Sequence, residues 1–246
     1  MYKRGIYKVL ANEPLTATVW RMVLGGDTQW ITAPGQFVNI ALDGRYLRRP
    51  ISVCDYDAAT LTIIYKVVGE GTAQMARMAA GEELDLLTGL GNGFDVRNDA
   101  QRPLLVGGGV GVPPLYNLAK RLLAAGRQVG VVLGFNTAGE IFYAEEFRAL
   151  GCDVYVATAD GSAGTKGFVT TAIAECRPDF DYFYACGPLP MLRALCDAVE
   201  QDGQLSFEER MGCGFGACMG CSCKTKYGNK RICKEGPVLA KGEIIW

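Results

Sequence analysis

A rhythm of strand, glycine turn and helix repeats four times in the second half of the chain. Strands that alternate with helices in this way build a parallel sheet, because each helix returns the chain to the same end of the sheet. The pattern therefore predicts a doubly wound parallel α/β domain with a further strand at 205–210. The paired segments are 104–109 with 113–126, 129–135 with 144–151, 153–160 with 168–176, and 182–187 with 190–203.

The first hundred residues carry a different pattern. Short segments rich in Val, Ile, Thr and aromatic residues are separated by Gly, Pro and Asp, which is typical of an antiparallel barrel or sandwich. One helix is predicted at 72–80, ending before Gly81. The predicted strands are 17–24, 36–42, 50–56 and 61–68. We divide the chain into a β-barrel domain at 1–98, an α/β domain at 99–205 and a C-terminal segment at 206–246.

Composition excludes several classes of function. The 25 basic and 26 acidic residues form no long block of one sign, so nothing indicates nucleic acid or an anionic membrane as a partner. No signal peptide or apolar run of roughly 18 residues is present, and we expect a cytoplasmic protein. The complete absence of histidine excludes Ser-His and Cys-His nucleophile pairs, His-ligated zinc and Rieske clusters. Hydride and electron transfer through bound cofactors remain possible, because they do not require an imidazole.

Half of the ten cysteines lie close together near the C-terminus. The spacing Cys213-x4-Cys218-x2-Cys221-x11-Cys233 matches plant-type 2Fe-2S sites. Cys223 is predicted to be a bystander. A structural zinc site is the alternative, although its paired cysteines usually have other spacings. The other five cysteines are scattered among apolar residues and are predicted to be buried, with Cys186 set apart for the reason given below.

Glycines within the cysteine segment support the cluster. They are predicted to adopt positive φ, to let the backbone wrap closely, and to aim N–H groups at sulfur. These glycines are Gly212, Gly214, Gly216 and Gly220. The basic residues of the long x11 loop form either a solvated rim or a docking surface for a partner.

A glycine-rich turn, GGGVGVPP at 107–114, lies between a predicted strand and helix. Here Gly108, Gly109 and Gly111 would let the backbone approach a pyrophosphate at a helix N-terminus. The turn does not match G-x-G-x-x-G in register, and such turns also occur merely as connections.

Two further loops end at the same predicted sheet edge, where open α/β sheets bind ligands. One contains Asp160, and the other contains Cys186, Gly187 and Pro188. We predict that all of these bind a nicotinamide cofactor. The loop 134–140 offers no Arg or Lys for a 2′-phosphate, which favours NADH over NADPH.

In the β half, RRPIS at 48–52 combines two cations, a rigid proline and a hydroxyl, which suits a diphosphate. Its alternative is a surface arginine pair. GEGTAQM at 69–75 opens a helix whose N-terminus could take another phosphate oxygen.

Taken together, these motifs resemble the ferredoxin-reductase superfamily and, more closely, the electron-transfer subunits of two-subunit NAD-dependent dihydroorotate dehydrogenases. The resemblance covers essentially the whole chain and is most specific in ERMGCGFGACMGCSCKTK and RICKEGPV. It departs from the family at Gly89, where proline is expected, and at Lys66, where arginine is common. The resemblance implies three cofactors: FAD, a 2Fe-2S cluster and NAD. The FAD would be held by Arg49, Pro50, Ile51, Ser52, Ile64, Tyr65, Lys66, Gly71 and Thr72, and the cluster by Cys213, Cys218, Cys221 and Cys233.

The resemblance also implies a function. In this family, dihydroorotate is oxidised at an FMN in a separate catalytic subunit, and electrons pass through the cluster and FAD to NAD⁺, in pyrimidine biosynthesis. Two copies of each subunit would form a heterotetramer, docked through an apolar patch near the cluster. Cys186 is the predicted catalytic residue, beside the nicotinamide. The alternatives are the small subunit of an NAD(P)H-dependent ferredoxin or sulfide oxidoreductase, and a non-catalytic, zinc-stabilised nucleotide-binding module.

Overall fold

The computed structural model describes residues 2–246, and its N-terminal part is a closed antiparallel barrel, as predicted. The strand order in the barrel is β1-β2-β5-β4-β3-β6. Its strands are β1 (Lys3–Pro14), β2 (Val19–Gly25), β3 (Phe37–Ile40), β4 (Arg49–Tyr56), β5 (Thr60–Lys66) and β6 (Glu83–Leu90). Alternate side chains fill the interior, including Val9, Met22, Val38, Ile63 and Leu86.

The one helix of this region, α1 (Glu70–Ala76), is shorter than the predicted 72–80 at its end and begins earlier. The N–H of Arg77 bonds the carbonyl of Gln74, which tightens the last turn. The chain then leaves the helix because the N–H of Gly81 bonds the carbonyl of Val9 in β1 at 2.8 Å.

The second half forms a seven-stranded sheet in the order β10-β9-β8-β7-β11-β12-β15. Its neighbouring strands are all parallel except the last pair, which confirms the predicted α/β class. The strands are β7 (Pro103–Gly108), β8 (Gly130–Phe135), β9 (Asp153–Thr158), β10 (Thr165–Lys166), β11 (Tyr182–Cys186), β12 (Gly203–Ser206) and β15 (Val238–Ala240). The helices are α2 (Pro114–Ala124), α3 (Ala144–Ala149), α4 (Val169–Cys176) and α5 (Leu189–Ala198).

The C-terminal segment is joined to this sheet by its own strand. Val238 pairs with Ser206 and Ala240 with Gln204, both antiparallel. Between β12 and β15 lies the cysteine segment with a hairpin, β13 (Ser222–Thr225) and β14 (Gly228–Arg231). A division of the chain after residue 205 therefore cuts through β12 and separates most of it from β15, its partner strand.

The end of α5 differs from the prediction of 190–203. The helix stops at Ala198 because the chain becomes extended at Val199. The ammonium of Lys241 donates to the carbonyl of Val199, which ends the helix, at 2.6 Å and to that of Gln201, in the turn before β12, at 3.1 Å. Strand β12 consequently starts at Gly203, two residues before the predicted start.

Barrel and sheet pack directly against each other. The carboxylate of Asp55 in β4 accepts a hydrogen bond from Asn117 at 2.7 Å and pairs with Lys120 at 2.6 Å, both on α2. Buried apolar side chains of both parts, such as Ile64 and Leu115, belong to one continuous core. Apolar packing and polar contacts therefore hold the barrel against the sheet. Two of the scattered cysteines are not buried as predicted: Cys176 is exposed, because α4 ends there at the surface, and Cys196 on α5 is half-buried. No helix within residues 2–246 is long and apolar enough to cross a membrane.

Candidate functional site

A cleft of about 590 Å³ lies between the barrel and the carboxyl edge of the sheet. It brings together six residues predicted from three separate motifs. Lys66 lines it from the barrel, and the glycine turn and the loop after β11 line it from the sheet. The six are Lys66, Gly108, Gly109, Gly111, Gly187 and Pro188. Such a cleft at the carboxyl ends of parallel strands is where doubly wound sheets bind nucleotides.

The glycine turn packs too closely on its neighbour for side chains. A Cβ at Gly111 would overlap the carbonyl of Cys186, and one at Gly108 would lie 2.5 Å from the sulfur of Met191. Gly109 has a φ of 52° and open space around it. The sequence GGGVG therefore lets two loops of the sheet edge lie side by side, with backbone facing the cleft.

Cys186 ends β11 and lies beneath this contact. Its side chain is 2% exposed and packs in the core shared by barrel and sheet. Burial raises the pKa of the thiol to about 12, and the nearby charge of Glu208 adds to this. The thiol is therefore neutral at physiological pH, while the neighbouring Gly187 and Pro188 face the cleft. A catalytic role for Cys186 beside the nicotinamide stays a prediction.

Several cleft residues were missed by the sequence analysis. Glu208 follows β12 and lines the cleft near Cys186; its side chain stays accessible to solvent, and partial desolvation by the cleft raises the pKa of its carboxyl. Phe168 and Glu140 line the end of the cleft over β8 and β9. Glu208 and Glu140 each follow the carboxyl end of a strand, and this position is a signal from which the sequence could have identified them. Phe168 carries no such signal, because an isolated Phe in a loop looks like core.

The loops after β8 and β9 are tied together at that end. The amide of Asn136 donates to Glu140 at 2.9 Å, and the hydroxyl of Ser162 accepts from the N–H of Ala138 at 2.7 Å. Asp160 accepts two hydrogen bonds from Ser162, which lower the pKa of its carboxyl. Asp160 is thus engaged within its own loop, and its predicted contact with the cofactor stays a prediction.

The predicted diphosphate residues meet at the start of α1. A Cβ at Gly71 would lie 2.5 Å from Nε of Arg49, so the guanidinium rests directly on the Gly71 backbone. The hydroxyl of Thr72 caps the helix, donating to the carbonyl of Gly69 at 3.1 Å and accepting from the N–H of Val68 at 3.0 Å. A cation over a glycine at a helix start fits a diphosphate.

The remaining flavin candidates lie on β4 and β5, where these two strands no longer pair with each other. The pairs between β4 and β5 run from Val53 with Ile63 to Tyr56 with Leu61. Arg49, Pro50, Ile51 and Ser52 on one strand, and Ile64, Tyr65 and Lys66 on the other, therefore lie beyond the paired stretch. The predicted flavin residues of the two strands therefore gather where β4 and β5 are not paired with each other.

These flavin candidates differ in where their side chains go. Lys66 reaches the cleft, whereas Ile64 packs in the core between barrel and sheet. Tyr65 points into the barrel and donates its hydroxyl to Asn12 at 2.9 Å. Only the backbone of Tyr65 is therefore available to a flavin.

The four predicted cluster ligands form two pairs. Cys218 is close enough to Cys213 for its thiol to affect the pKa of Cys213, Cys221 acts on the pKa of Cys233 in the same way, and Cys213 also acts on Cys233. Within residues 2–246, no three His, Cys, Asp or Glu side chains are gathered around one point as a single ion requires. Two thiol pairs suit a binuclear cluster, in which each iron takes two protein sulfurs.

Backbone N–H groups point at these sulfurs. Those of Ala217 and Cys218 approach Sγ of Cys213 at 3.2 and 3.5 Å, and that of Cys233 approaches Sγ of Cys221 at 3.4 Å. Burial would raise the pKa of Cys213, but hydrogen bonds from the backbone outweigh it and lower the pKa to about 6. The loop thus favours a thiolate, the form that binds iron.

The glycines of this loop follow the prediction only in part. Gly214 and Gly216 have φ of 79° and 92°, whereas Gly212 and Gly220 are not among the residues with positive φ. Two basic residues of the x11 loop are paired, Lys230 with Glu243 and Arg231 with Glu235, so they are not free cations. Cys223 lies in the β13–β14 hairpin, half-buried.

Comparison with known proteins agrees with this geometry. Residues 208–245 match the family model "Iron-sulfur cluster binding domain of dihydroorotate dehydrogenase B", and residues 105–197 match "Oxidoreductase NAD-binding domain". The dihydroorotate dehydrogenase B (NAD(+)) electron transfer subunit of Fusobacterium nucleatum is 46% identical over 95% of each chain. That of a Geobacillus strain is 44% identical over the full length of both. The chain belongs to this family of electron transfer subunits.

The solved structures place the family in a wider fold group. A structure of an NADH-dependent reduced ferredoxin-NADP oxidoreductase has a TM-score of 0.89 at 29% identity, covering 98% of this chain and 90% of that one. A ferredoxin NADP⁺ reductase from Neisseria gonorrhoeae, at 17% identity and a TM-score of 0.69, covers 80% of this chain and 90% of that one and shares the fold. The ferredoxin-reductase architecture is thereby confirmed, and the match to the Fe-S model spans all four cysteines of the two thiol pairs.

Proposed function

We propose that this chain takes electrons from an FMN-containing, dihydroorotate-oxidising catalytic subunit and delivers them to NAD⁺, using a 2Fe-2S cluster and FAD. A flavin exchanges electrons singly or in pairs, so it connects a one-electron cluster to a two-electron nicotinamide. The observation that carries the proposal is the cleft, where Lys66 of the barrel faces the glycine turn and the Gly187 loop.

Each part of the cleft has a task of its own. Arg49 and the start of α1 would bind the FAD diphosphate, and the unpaired ends of β4 and β5 would lie beside its ring. The turn Gly108–Gly111 would bind the nicotinamide pyrophosphate through backbone N–H groups. Asp55 and α2 fix the barrel against the sheet, so the two cofactor sites keep one separation.

The cysteine loop faces the catalytic subunit in this proposal. Cys218 is exposed and Cys213 half-buried, so one side of the four thiols is open, while Cys221 and Cys233 are buried. Exposed apolar residues surround that side, namely Tyr2, Phe215 and Met219, and Tyr2 stacks on Phe215 at 5.1 Å. An apolar rim around an open cluster suits a docking surface for electron transfer. Two chains of each kind would complete a cytoplasmic heterotetramer.

The likeness to the NADH-dependent reduced ferredoxin-NADP oxidoreductase keeps a second candidate open, a subunit acting on ferredoxin. The higher identity to the dihydroorotate dehydrogenase B subunits favours the first. The two differ in the donor that reduces the loaded chain.

The deciding experiment mixes the FAD- and cluster-loaded chain with an FMN-containing dihydroorotate dehydrogenase catalytic subunit from the same organism. Dihydroorotate should then reduce NAD⁺ in the mixture, and neither protein alone should do so. Reduction of NAD⁺ by reduced ferredoxin, with no response to dihydroorotate, would establish the second candidate instead.

A further inference from the structure

Asn39 is a buried polar residue at the junction between the barrel and the cysteine loop. In β3, Val38 and Ile40 point into the barrel, while the alternate residue Phe37 packs on the side that contains Cys221 and Cys233. Asn39 shares the face of Phe37 and is 1% exposed. An amide in such a position requires a reason beyond packing.

The Asn39 side chain forms a hydrogen bond with the cysteine loop. Its Nδ2 donates to the carbonyl of Cys213 at 3.3 Å. The next residue, Gly214, has a φ of 79°, and a Cβ there would overlap that same Nδ2. The loop is thus packed onto Asn39 at its first cysteine.

The backbone of Asn39 belongs to the flavin side. It pairs with Pro50 of β4, within the proposed FAD motif, and its carbonyl accepts from Arg48 at 3.2 Å. One residue therefore connects the strand proposed to hold the flavin with the loop proposed to hold the cluster.

The other end of the amide is unusual. Oδ1 of Asn39 is buried and receives no hydrogen bond from any group in residues 2–246. A leucine of similar size would avoid this loss, so the polarity itself is the informative feature. An amide dipole fixed beside iron-sulfur ligands is one of the ways in which a protein tunes a cluster.

We propose that Asn39 is a positioning residue that orients the Cys213 loop against the flavin strand and so sets the reduction potential of the cluster. Its hydrogen bond to the Cys213 carbonyl fixes the loop in which the N–H groups of Ala217 and Cys218 point at Sγ of Cys213. This inference rests on the proposed function for the identity of the cluster ligands.

The test compares Asn39→Asp with Asn12→Asp in the full chain loaded with FAD and cluster. Asn12 is a matched control, because its Nδ2 also donates to backbone carbonyls, those of Met75 and Met78, both at 2.9 Å. Iron and FAD contents are measured first, and then the cluster midpoint potential and g-values by EPR-monitored titration.

Asn39→Asp places negative charge against the Cys213 carbonyl, so the cluster potential should become more negative and the g-values should change. Asn12→Asp should leave both unchanged. Loss of iron with FAD retained, in Asn39→Asp only, would also support the proposal. A potential and EPR spectrum identical to those of the unmodified chain would overturn it.

If Asn39→Asp loses iron and FAD together, Asn39→Ser decides. Serine keeps a hydrogen-bond donor but is too short to reach the Cys213 carbonyl. A shifted cluster potential in this variant would support the positioning role of Asn39. An unchanged potential, or loss of both cofactors together, would make Asn39 a residue needed for folding only. Failure of the proposed function is recognised separately, since the unmodified chain mixed with the catalytic subunit would then not reduce NAD⁺ with dihydroorotate.

Discussion

The guanidinium of Arg49 lies on the backbone of Gly71, with Nε 2.5 Å from where a Cβ on that glycine would stand. The two residues are more than twenty positions apart and belong to different motifs, one in β4 and one in α1. Their contact explains why a glycine is needed in the first turn of a helix, where it is otherwise unfavourable.

Gly71→Ala should weaken FAD binding by about tenfold, roughly 1.4 kcal/mol, because the new methyl displaces Arg49. The measurement is the FAD dissociation constant of the reconstituted chain by fluorescence. Gly69→Ala is the control, since Gly69 is extended and a methyl group there would have nothing within 4 Å. Equal affinities in the two variants would contradict the assignment of the diphosphate site.

Cys233→Ser should abolish the cluster, whereas Cys223→Ser should retain it. Cys233 is paired with Cys221, while Cys223 is held in the β13–β14 hairpin. Iron and acid-labile sulfide per chain, with the visible spectrum, provide the measurement. Loss of iron in Cys223→Ser with retention in Cys233→Ser would mean that the ligand set includes the wrong cysteine.

Asp55→Ala should destabilise the chain by about 1–3 kcal/mol, because it leaves the buried Asn117 amide without its acceptor and Lys120 without its partner. Denaturant unfolding measures the change. Glu145→Ala, which removes an exposed pair with Arg148, should cost less than about 1 kcal/mol. A smaller effect for Asp55→Ala than for Glu145→Ala would show that barrel and sheet are not held through α2.

Glu140→Arg should raise the preference for NADPH. Glu140 lines the cleft in the loop after β8, and its carboxylate would repel a 2′-phosphate that an arginine would bind. We expect the kcat/KM ratio of NADPH to NADH to rise at least about tenfold in flavin reduction assays. Glu145→Arg serves as the charge-matched control, and an equal rise there would assign the effect to net charge.

Stability should fall in alkali partly through Tyr65. Burial raises the pKa of its hydroxyl from the ordinary value of 10.0 to about 12, while the bond to Asn12 lowers it. A group whose pKa is raised by folding stabilises the fold below its unfolded pKa, and this contribution is lost as pH rises through the folded pKa. The loss by pH 11 should be about 1.4 kcal/mol. Denaturant unfolding from pH 8 to 11 should show a shallower decline for Tyr65→Phe, and parallel curves would contradict this.

The sequence predicted those parts of the site whose spacing is local. Short stretches of backbone set the spacing Cys213-x4-Cys218-x2-Cys221 and the glycine turn after β7. Both can therefore be read directly from the sequence. The barrel and the parallel sheet were predicted from the change in the hydrophobic pattern near residue 100.

The remaining features depend on contacts between distant segments. Strand β15 pairs with β12 across the whole cysteine segment, and three residues carry too little pattern to reveal it. Strands β1 and β6 were not predicted; in β1, apolar residues lie on both faces, such as exposed Ile6 beside buried Tyr7. Asn39 looks like an interruption of a strand until the cysteine loop lies against it.

An anaerobic visible spectrum of the purified chain, before and after NADH, with iron, sulfide and released flavin assayed in the same sample, tests the claim that the chain carries FAD and a 2Fe-2S cluster. We expect one FAD, two irons and two sulfides per chain, and bleaching by NADH. A colourless protein that contains zinc and does not respond to NADH would contradict the claim.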